Sequence, residues 1–309
     1  MKKVLITGGA GFIGSALIRE LQRANYDISV IDNLSFGNRE FINIPDSKFH
    51  EVDILDKDRV DEILKREKPQ WIVHLAAIHF IPYCNQHPYE SANINIKGTA
   101  NILDLAEECD FIEKVFYAST AAVYPIYDKS IGEGHRVEPL DIYGLSKYAG
   151  ERLCHEYHLR RNIPTIICRF FNAFGPNETN PHLIPEIQKQ ILAGARTIKL
   201  GNLFPKRDFI HTYDMARAVR ELLERFEKGI DIFNLGSGQE FSVKEIVEAF
   251  QRQLGDSITI ETDPSRVRKV DRMHLKADIT KLKTFLDWKP EIGIDEGIAT
   301  LLREYINND

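Results

Sequence analysis

Met1-Lys-Lys-Val-Leu-Ile-Thr-Gly-Gly-Ala-Gly-Phe-Ile-Gly14 is the stretch from which the rest of the chain can be read. Val4–Thr7 is a short β-branched apolar run that breaks into Gly8, Gly9, Gly11 and Gly14, and a helical pattern follows through Leu17, Ile18 and Leu21. Strand, glycine turn and helix in that order predict the phosphate-gripping start of a dinucleotide-binding unit. Gly8 permits the tight turn, Gly11 lets a pyrophosphate approach the backbone, and Gly14 lets helix and strand pack closely. The helix N-terminus then offers N–H groups and a partial positive charge. Glycine turns also join ordinary βα units, so a second signal is needed. It comes after the apolar run Ile28–Ile31, where Asp32 stands eighteen residues beyond Gly14. A carboxylate there can accept both ribose hydroxyls and would repel a 2′-phosphate, which predicts NAD as cofactor rather than NADP.

Strand-like and helix-like segments alternate outward from this start. Strands are expected at Val4–Thr7, Ile28–Ile31, Phe49–Asp53, Trp71–Leu75, Lys114–Ala118 and Thr165–Arg169. Helices are expected near Ser15–Ala24, at Lys57–Glu67, from Asn93 to Cys109 after a long loop, and from Tyr143 to Arg161. Repeated βα alternation with apolar strands predicts an α/β fold, a doubly wound parallel sheet of the Rossmann type. Ligands in such sheets bind beyond the strand carboxyl ends, where Gly8, Asp32, Ala76, Ser119 and Asn172 fall. From about Asn172 the alternation weakens. We read residues 1–171 as an NAD-binding domain to which the chain returns around 205–233, and 172–309 as mainly a smaller α/β substrate-binding lobe.

Composition narrows the function classes. At 309 residues the chain can bury a large core. Net charge is −6, from 40 Lys+Arg against 46 Asp+Glu, with the charges interspersed, so nucleic acid is not an expected partner. No apolar stretch approaches the roughly 20 residues of a membrane span. The N-terminus enters a strand at once, leaving no room for a signal peptide. Cys84, Cys109, Cys154 and Cys168 lack metal-ligand spacing and read as free thiols of a cytoplasmic protein, with no metal expected.

Ala118-Ser-Thr-Ala-Ala-Val-Tyr124 follows a strand, and Tyr143-Gly-Leu-Ser-Lys147 opens the next long helix. Residues four apart share a helix face. A Lys147 ammonium beside the Tyr143 phenol is expected to lower the phenol from about 10 toward neutrality, making Tyr143 a general acid/base. Thr120, at a strand end, can bridge the tyrosine and a substrate hydroxyl.

Further motifs stand in order along the chain: Asp32-Asn33, Asp53-Ile54, His74-Leu-Ala-Ala77, Asn95-Ile-Lys-Gly-Thr99, Arg169-Phe-Phe-Asn-Ala-Phe-Gly-Pro176, Arg207-Asp-Phe-Ile-His211, Asn234-Leu-Gly-Ser-Gly238 and Ala277-Asp278. With the glycine turn, Ser119-Thr120 and Tyr143…Lys147, they make the whole chain resemble the extended short-chain dehydrogenase/reductases, specifically the NAD-dependent nucleotide-sugar epimerases and dehydratases, and among these the 4-epimerases most. The resemblance implies that Thr120, Tyr143 and Lys147 are catalytic. It implies that Gly8, Gly11, Phe12, Ile13 and Gly14 hold the pyrophosphate, Asp32 and Asn33 the adenosine ribose, and Asp53 and Ile54 the adenine. Ala76, Ala77, Asn95, Tyr143, Lys147 and Phe170 would line the nicotinamide side. Asn172, Leu183, Arg207 and Arg268 fall where the family grips the substrate's diphosphate, a task suited to bidentate guanidinium groups. The resemblance also implies a homodimer through Asn93–Cys109 and Tyr143–Arg161. Ile94, Leu103, Leu105, Leu153 and Tyr157 are the apolar candidates for that interface, unless they serve the chain's own core.

Departures from the family separate the reactions. Its 4,6-dehydratases carry Asp and Glu after the catalytic Thr; Ala121 and Ala122 stand there in this chain. Its GDP-sugar 3,5-epimerases and fucose synthases have a Cys where Ala122 stands, although Val123-Tyr124-Pro125 is similar to theirs. What remains uses hydride transfer and Tyr143: a nucleotide-sugar 4-epimerase acting on a UDP-hexose or UDP-N-acetylhexosamine. The alternatives are a 4-keto reductase, a non-standard dehydratase, or a catalytically idle NAD-binding relative. His79 replaces a common Lys and His182 a common Asn, both in the sugar region. Leu275 stands where members selective for plain hexoses carry Tyr, so the pocket is expected to admit N-acetylated sugars.

Overall fold

The run Lys3–Thr7 (β1) lies at the middle of the molecule with both faces covered, and its four residues after Lys3 are all buried. Val4 and Ile6 point to one face, against Leu17, Ile18 and Leu21, while Leu5 points to the other, against Val60, Leu64 and Ile102. Opposite pointing of neighbours follows from the pleat, and apolar residues at every position follow from helices on both faces. The computed structural model describes residues 1–266 and 272–306.

The strands that follow β1 are β2 (Asp27–Asp32), β3 (Phe49–Glu51), β4 (Trp71–His74), β5 (Lys114–Thr120), β6 (Thr165–Phe170), β7 (Asn172–Phe174), β8 (Thr197–Leu200), β9 (Lys206–His211), β10 (Ile230–Leu235), β11 (Glu240–Ser242) and β12 (Thr259–Thr262). Helices α1 (Phe12–Arg23), α2 (Lys57–Glu67), α3 (Ile81–Gln86), α4 (Pro88–Ala92), α5 (Thr99–Glu108), α6 (Ile142–Arg161), α7 (Leu183–Leu192), α8 (Thr212–Arg225), α9 (Val243–Leu254), α10 (Thr280–Leu286) and α11 (Ile294–Ile306) connect them. Seven strands form one parallel sheet in the order β10-β6-β5-β4-β1-β2-β3. The order reverses between β1 and β4, which opens a crevice beyond their carboxyl ends. This is the doubly wound α/β fold the sequence predicts.

Beyond Phe170 a second lobe forms around Ile187, Ile246, Phe250 and Ile298. It contains a three-stranded sheet, β11-β9-β7, and the parallel pair β8–β12. The segment Arg207–Tyr213 therefore does not enter the main sheet as a strand. The return is made by α8, whose Met215, Val219 and Leu222 share the core of α1, and by β10 beside β6.

Two other local readings change. The long loop before Asn93 contains α3 and α4, each with a proline in its first turn, where the missing N–H removes no helical bond. The helix expected from Asn93 begins with a wide π-type turn, Asn93–Gly98, and Cys109 lies just past its end. Among the described residues no helix is long and apolar enough to cross a membrane.

Candidate active site

A cleft of about 1060 Å³ runs along the carboxyl ends of the strands and between the two lobes. At one end is the glycine turn. Gly8 adopts φ +73°, and a Cβ there would lie 2.7 Å from the backbone nitrogen of Ala76. A Cβ on Gly14 would stand 2.3 Å from the carbonyl oxygen of Gly8. Gly11 caps α1 without any side-chain bond to the helix N-terminus, so the first N–H groups of α1 have no capping side chain. Gly8, Gly11, Phe12, Ile13 and Gly14 all border the cleft. A bare helix start behind a turn with no room for side chains fits a diphosphate.

Asp32 lies next along the cleft, nearly buried. Its Oδ2 accepts from Ala10 N–H at 2.9 Å and its Oδ1 from Leu34 N–H at 2.9 Å. Burial raises its pKa, against the pull of those two bonds. Each carboxylate oxygen keeps a second lone pair, so the acid is oriented by the turn and still able to accept ribose hydroxyls. Asn33 donates to Asp53 Oδ2 at 2.8 Å, and Asp53 Oδ1 accepts from Leu55 N–H at 2.8 Å. Ile54 completes this end of the cleft. The observed groups therefore fit a dinucleotide with a free ribose diol.

Thr120 ends β5, and Tyr143 and Lys147 stand on the first turns of α6, which Asp141 caps by accepting from Gly144 N–H at 2.8 Å. Thr120, Tyr143 and Lys147 border the same cleft, and the Thr120 hydroxyl accepts from Ala122 N–H at 3.1 Å. The expected lowering of Tyr143 by Lys147 is not what these groups do. Burial raises the phenol above its ordinary value, and the neighbouring Thr120 hydroxyl opposes it. Lys147 itself is pushed down to about 7 by burial, and its ammonium lies 4.3 Å from the Tyr117 ring centre. Helical spacing places the two residues on one face, but desolvation is the leading effect on each.

Ala76, Ala77 and Phe170 border the same part of the cleft. Asn95, also expected on the nicotinamide side, uses its side chain to hold the loop after β4 and α6. It is buried in the wide turn, where it accepts from Ile78 N–H (2.8 Å) and donates to Ile78 O (2.9 Å) and Ser146 Oγ (3.0 Å). It thereby ties the loop after β4 to α6.

The second lobe contributes Asn172, His182, Leu183, Arg207 and Leu275 to the cleft, opposite His79 from the loop after β4. Arg207 donates to the carbonyls of Lys206 (2.8 Å) and Arg272 (2.6 Å). Arg268 lies outside the described residues. Leu275 faces the cleft yet is only 8% exposed, packed into the core under the main sheet.

Several residues that matter here went unread in the sequence. Asn177 donates to Ser15 Oγ (3.1 Å), Thr179 to Phe36 O (3.2 Å) and Asn180 to His79 Nε2 (3.0 Å). The loop 177–180 thus bonds to α1, to the loop after β2 and to the loop after β4. A run of Asn, Glu and Thr after Gly-Pro signals a loop, and nothing local in it signals a tie between lobes. Glu178 and Arg272 also border the cleft.

Comparison with known proteins gives a consistent result. Residues 4–236 match a family described as the NAD dependent epimerase/dehydratase family. A protein of Methanocaldococcus jannaschii, provisionally named a UDP-glucose 4-epimerase, is 35% identical over 311 residues, covering 99% of each chain. The Thermus thermophilus UDP-glucose 4-epimerase in complex with NAD is 27% identical, with a TM-score of 0.87 over 99% of this chain and 100% of that one. The UDP-N-acetylglucosamine 4-epimerase of Methanobrevibacter ruminantium, in complex with UDP-N-acetylmuramic acid, is also 27% identical, with a TM-score of 0.90 over 100% of this chain and 99% of that one.

Proposed function

The chain belongs to the NAD-dependent epimerase/dehydratase family, and on that premise we propose that it interconverts nucleotide sugars at C4, with a UDP-hexose or UDP-N-acetylhexosamine as substrate. The observation that carries this reading is that Thr120, Tyr143 and Lys147 border the one cleft that also holds the glycine turn. NAD, when bound, supplies reversible hydride acceptance at the sugar's C4. Gly8, Gly11, Phe12, Ile13 and Gly14 would hold its diphosphate, Asp32 and Asn33 the ribose, and Asp53 and Ile54 the adenine. Ala76, Ala77 and Phe170 would shape the nicotinamide end.

Tyr143 takes the C4 hydroxyl proton as the 4-keto sugar forms and gives it back after the sugar has turned over. Thr120, at the end of β5 in the same cleft, would share a hydrogen bond with that C4 hydroxyl. Lys147 provides the nearby cation. Asn172, Leu183 and Arg207 would grip the diphosphate of the substrate, with Arg268 from the neighbouring undescribed segment. Ala121 and Ala122 offer no side chain that could drive elimination of water. The test is the absorbance of the NAD-loaded protein with a UDP-hexose. Transient reduction that recovers, with epimer appearing, supports the reading; net consumption of added cofactor points to a 4-keto reductase, and no change to a binding protein.

We further propose a homodimer through α5 and α6. Leu103, Leu105 and Tyr157 are buried in the chain's own core, whereas Ile94 and Leu153 pack only partly against it and keep exposed surface. Leu145 and Leu159, 51% and 76% exposed on α6, are better candidates. Light scattering at micromolar concentration decides between monomer and dimer. The four free thiols suit a reducing compartment, and we propose the cytoplasm.

A further inference from the structure

The segment 272–275 is laced along β9 by its backbone. Lys206 N–H donates to Met273 O (2.8 Å), Asp208 N–H to Leu275 O (2.8 Å), and the Arg207 guanidinium to Arg272 O (2.6 Å). The main chain of Arg272 therefore belongs to the second lobe. Its side chain crosses to the first. Nη1 donates to Pro125 O at 3.0 Å and Nη2 to Ala122 O at a longer 3.4 Å.

Both acceptors lie just past the strand end that carries Thr120. Ala121–Val123 form a short 3-10 turn there, closed by Tyr124 N–H on Ala121 O at 3.1 Å. The end of a helical turn leaves carbonyls without partners along the chain. A planar guanidinium can take two of them at once in a fixed geometry, which a lysine ammonium does not do. Arg272 thus caps this turn from the opposite lobe, at the border of the cleft.

Ala122 gives the cap its chemical meaning. Its N–H donates to Thr120 Oγ1 at 3.1 Å. Its carbonyl oxygen lies against the first turn of α6, so close that a Cβ on Gly144 would stand 2.5 Å from it. Gly144 follows Tyr143 directly, and Lys147 is one turn further along. A single residue therefore meets the Thr120 hydroxyl with its N–H, and both α6 and Arg272 with its carbonyl. Arg207 extends the line toward the substrate, since the guanidinium proposed to grip the diphosphate also holds the Arg272 carbonyl.

We propose that Arg272 is a positioning residue for the reaction at C4; this rests on the 4-epimerase reading. By holding the Ala122 carbonyl it keeps Thr120 and the Tyr143 end of α6 in register, and through Arg207 it ties that register to the grip on the substrate's diphosphate. Misplacing reacting groups by about 1 Å lowers a rate by on the order of 100-fold. Loss of the cap loosens the turn without removing a group from the reaction, so its effect falls on kcat and not on KM.

Full-length, NAD-loaded protein and UDP-glucose provide the test. At saturating substrate Arg272→Met should turn over about tenfold more slowly than wild type, with KM within about twofold of the wild-type value. Arg272→Lys keeps the charge and one direction of donation, and should recover part of the loss. It also carries the test if the methionine variant fails to bind NAD in a fluorescence titration. The sharpest comparison is with Thr120→Val. Because Arg272 acts through Ala122 on Thr120, adding Arg272→Met to Thr120→Val should lower kcat by less than about twofold further. Fully additive losses, a raised KM at unchanged kcat, or both Arg272 variants turning over like wild type each overturn the proposal. Wild type that reduces its NAD with UDP-glucose yet releases no UDP-galactose removes the proposed function alone, and the rate of that reduction then replaces kcat in the same comparison. Wild type that does neither overturns both.

Discussion

Arg169 and Glu151 form a two-pronged ion pair, with N···O distances of 2.8 and 2.7 Å and side chains only 3% and 1% exposed, behind the strand end that carries Thr120. Ser119 donates to the same carboxylate at 2.5 Å. On its other side Arg169 donates to the Tyr124 hydroxyl (2.9 Å), which donates to Asn234 Oδ1 (2.7 Å). The network ties β5, β6 and β10 to α6, and so fixes Thr120 relative to the helix bearing Tyr143 and Lys147. Breaking one side of a buried pair leaves an uncompensated charge, which costs about 3–5 kcal/mol. Arg169→Met is therefore expected to destabilise the protein by that amount in urea titrations. Arg169→Met combined with Glu151→Leu should recover part of the loss; a double variant less stable than the single one would contradict the account.

Tyr143→Phe removes only a phenolic O–H. It should lower epimerase turnover by at least ~100-fold, within the range a positioned acid/base provides, while NAD affinity changes little. Lys147→Ala should reduce both turnover and NAD affinity. Steady-state assays with a fluorescence titration of NAD separate the two variants. A Tyr143→Phe protein that keeps more than about a hundredth of wild-type turnover would falsify the role.

Lys147 also gives a pH signature. Its folded pKa of about 7 lies below the ordinary lysine value of about 10.4. Between those values the unfolded chain binds more protons than the folded one, so this group's contribution to stability increases as pH rises from about 7 toward 10. Below pH 7 the folded protein carries the cost of a buried ammonium. In cofactor-free protein Lys147→Met should be more stable than wild type at pH 6, with the advantage shrinking by pH 9. A difference that is flat across this range would mean the lysine is not desolvated.

The main sheet was legible because its signals are local: an apolar strand, a glycine turn and an acid at the end of β2. Thr120, Tyr143 and Lys147 were legible from a strand end and a helical spacing. The bonds of the Asn95 amide to Ile78 and Ser146 were not legible, because it sits within a π-type turn, where ordinary helical periodicity does not hold. The Asn177, Thr179 and Asn180 ties were not legible, since each joins segments far apart in the chain. The lowered phenol expected for Tyr143 failed for another reason. Spacing reveals which groups are neighbours, while desolvation depends on everything packed around them.

Asp32 is expected to set the cofactor preference. Its carboxylate orders the turn through Ala10 and Leu34 and faces the ribose end of the cleft. Asp32→Ala removes charged hydrogen bonds worth about 1.5–3 kcal/mol each, so NAD affinity should fall at least about tenfold. NADP should lose less, because a like-charge clash goes with the carboxylate. Titrations of wild type and variant with both cofactors check this, and tighter NADP binding by wild type would overturn it.

Leu275 bears on which sugars fit. Its backbone carbonyl accepts from Asp208 N–H at 2.8 Å, which anchors the segment to β9, while its side chain lies between the cleft and the core. Two demands therefore meet at one residue: packing under the sheet and shaping of the pocket. A tyrosine ring there has to grow into the cleft, since a core already at close packing cannot accept it without strain of about 1–3 kcal/mol. Leu275→Tyr should thus occupy space beside the sugar's C2 substituent and disfavour N-acetylated substrates. The expected outcome is a fall in the ratio of kcat/KM for UDP-N-acetylglucosamine over UDP-glucose by about tenfold or more, the effect of losing roughly 1.4 kcal/mol of selective binding. Leu275→Ala should shift the ratio the other way, at some cost in stability from the cavity it leaves. If the tyrosine lowers both substrates equally, Leu275 serves the core alone and the pocket's breadth is set by the wall that carries His79.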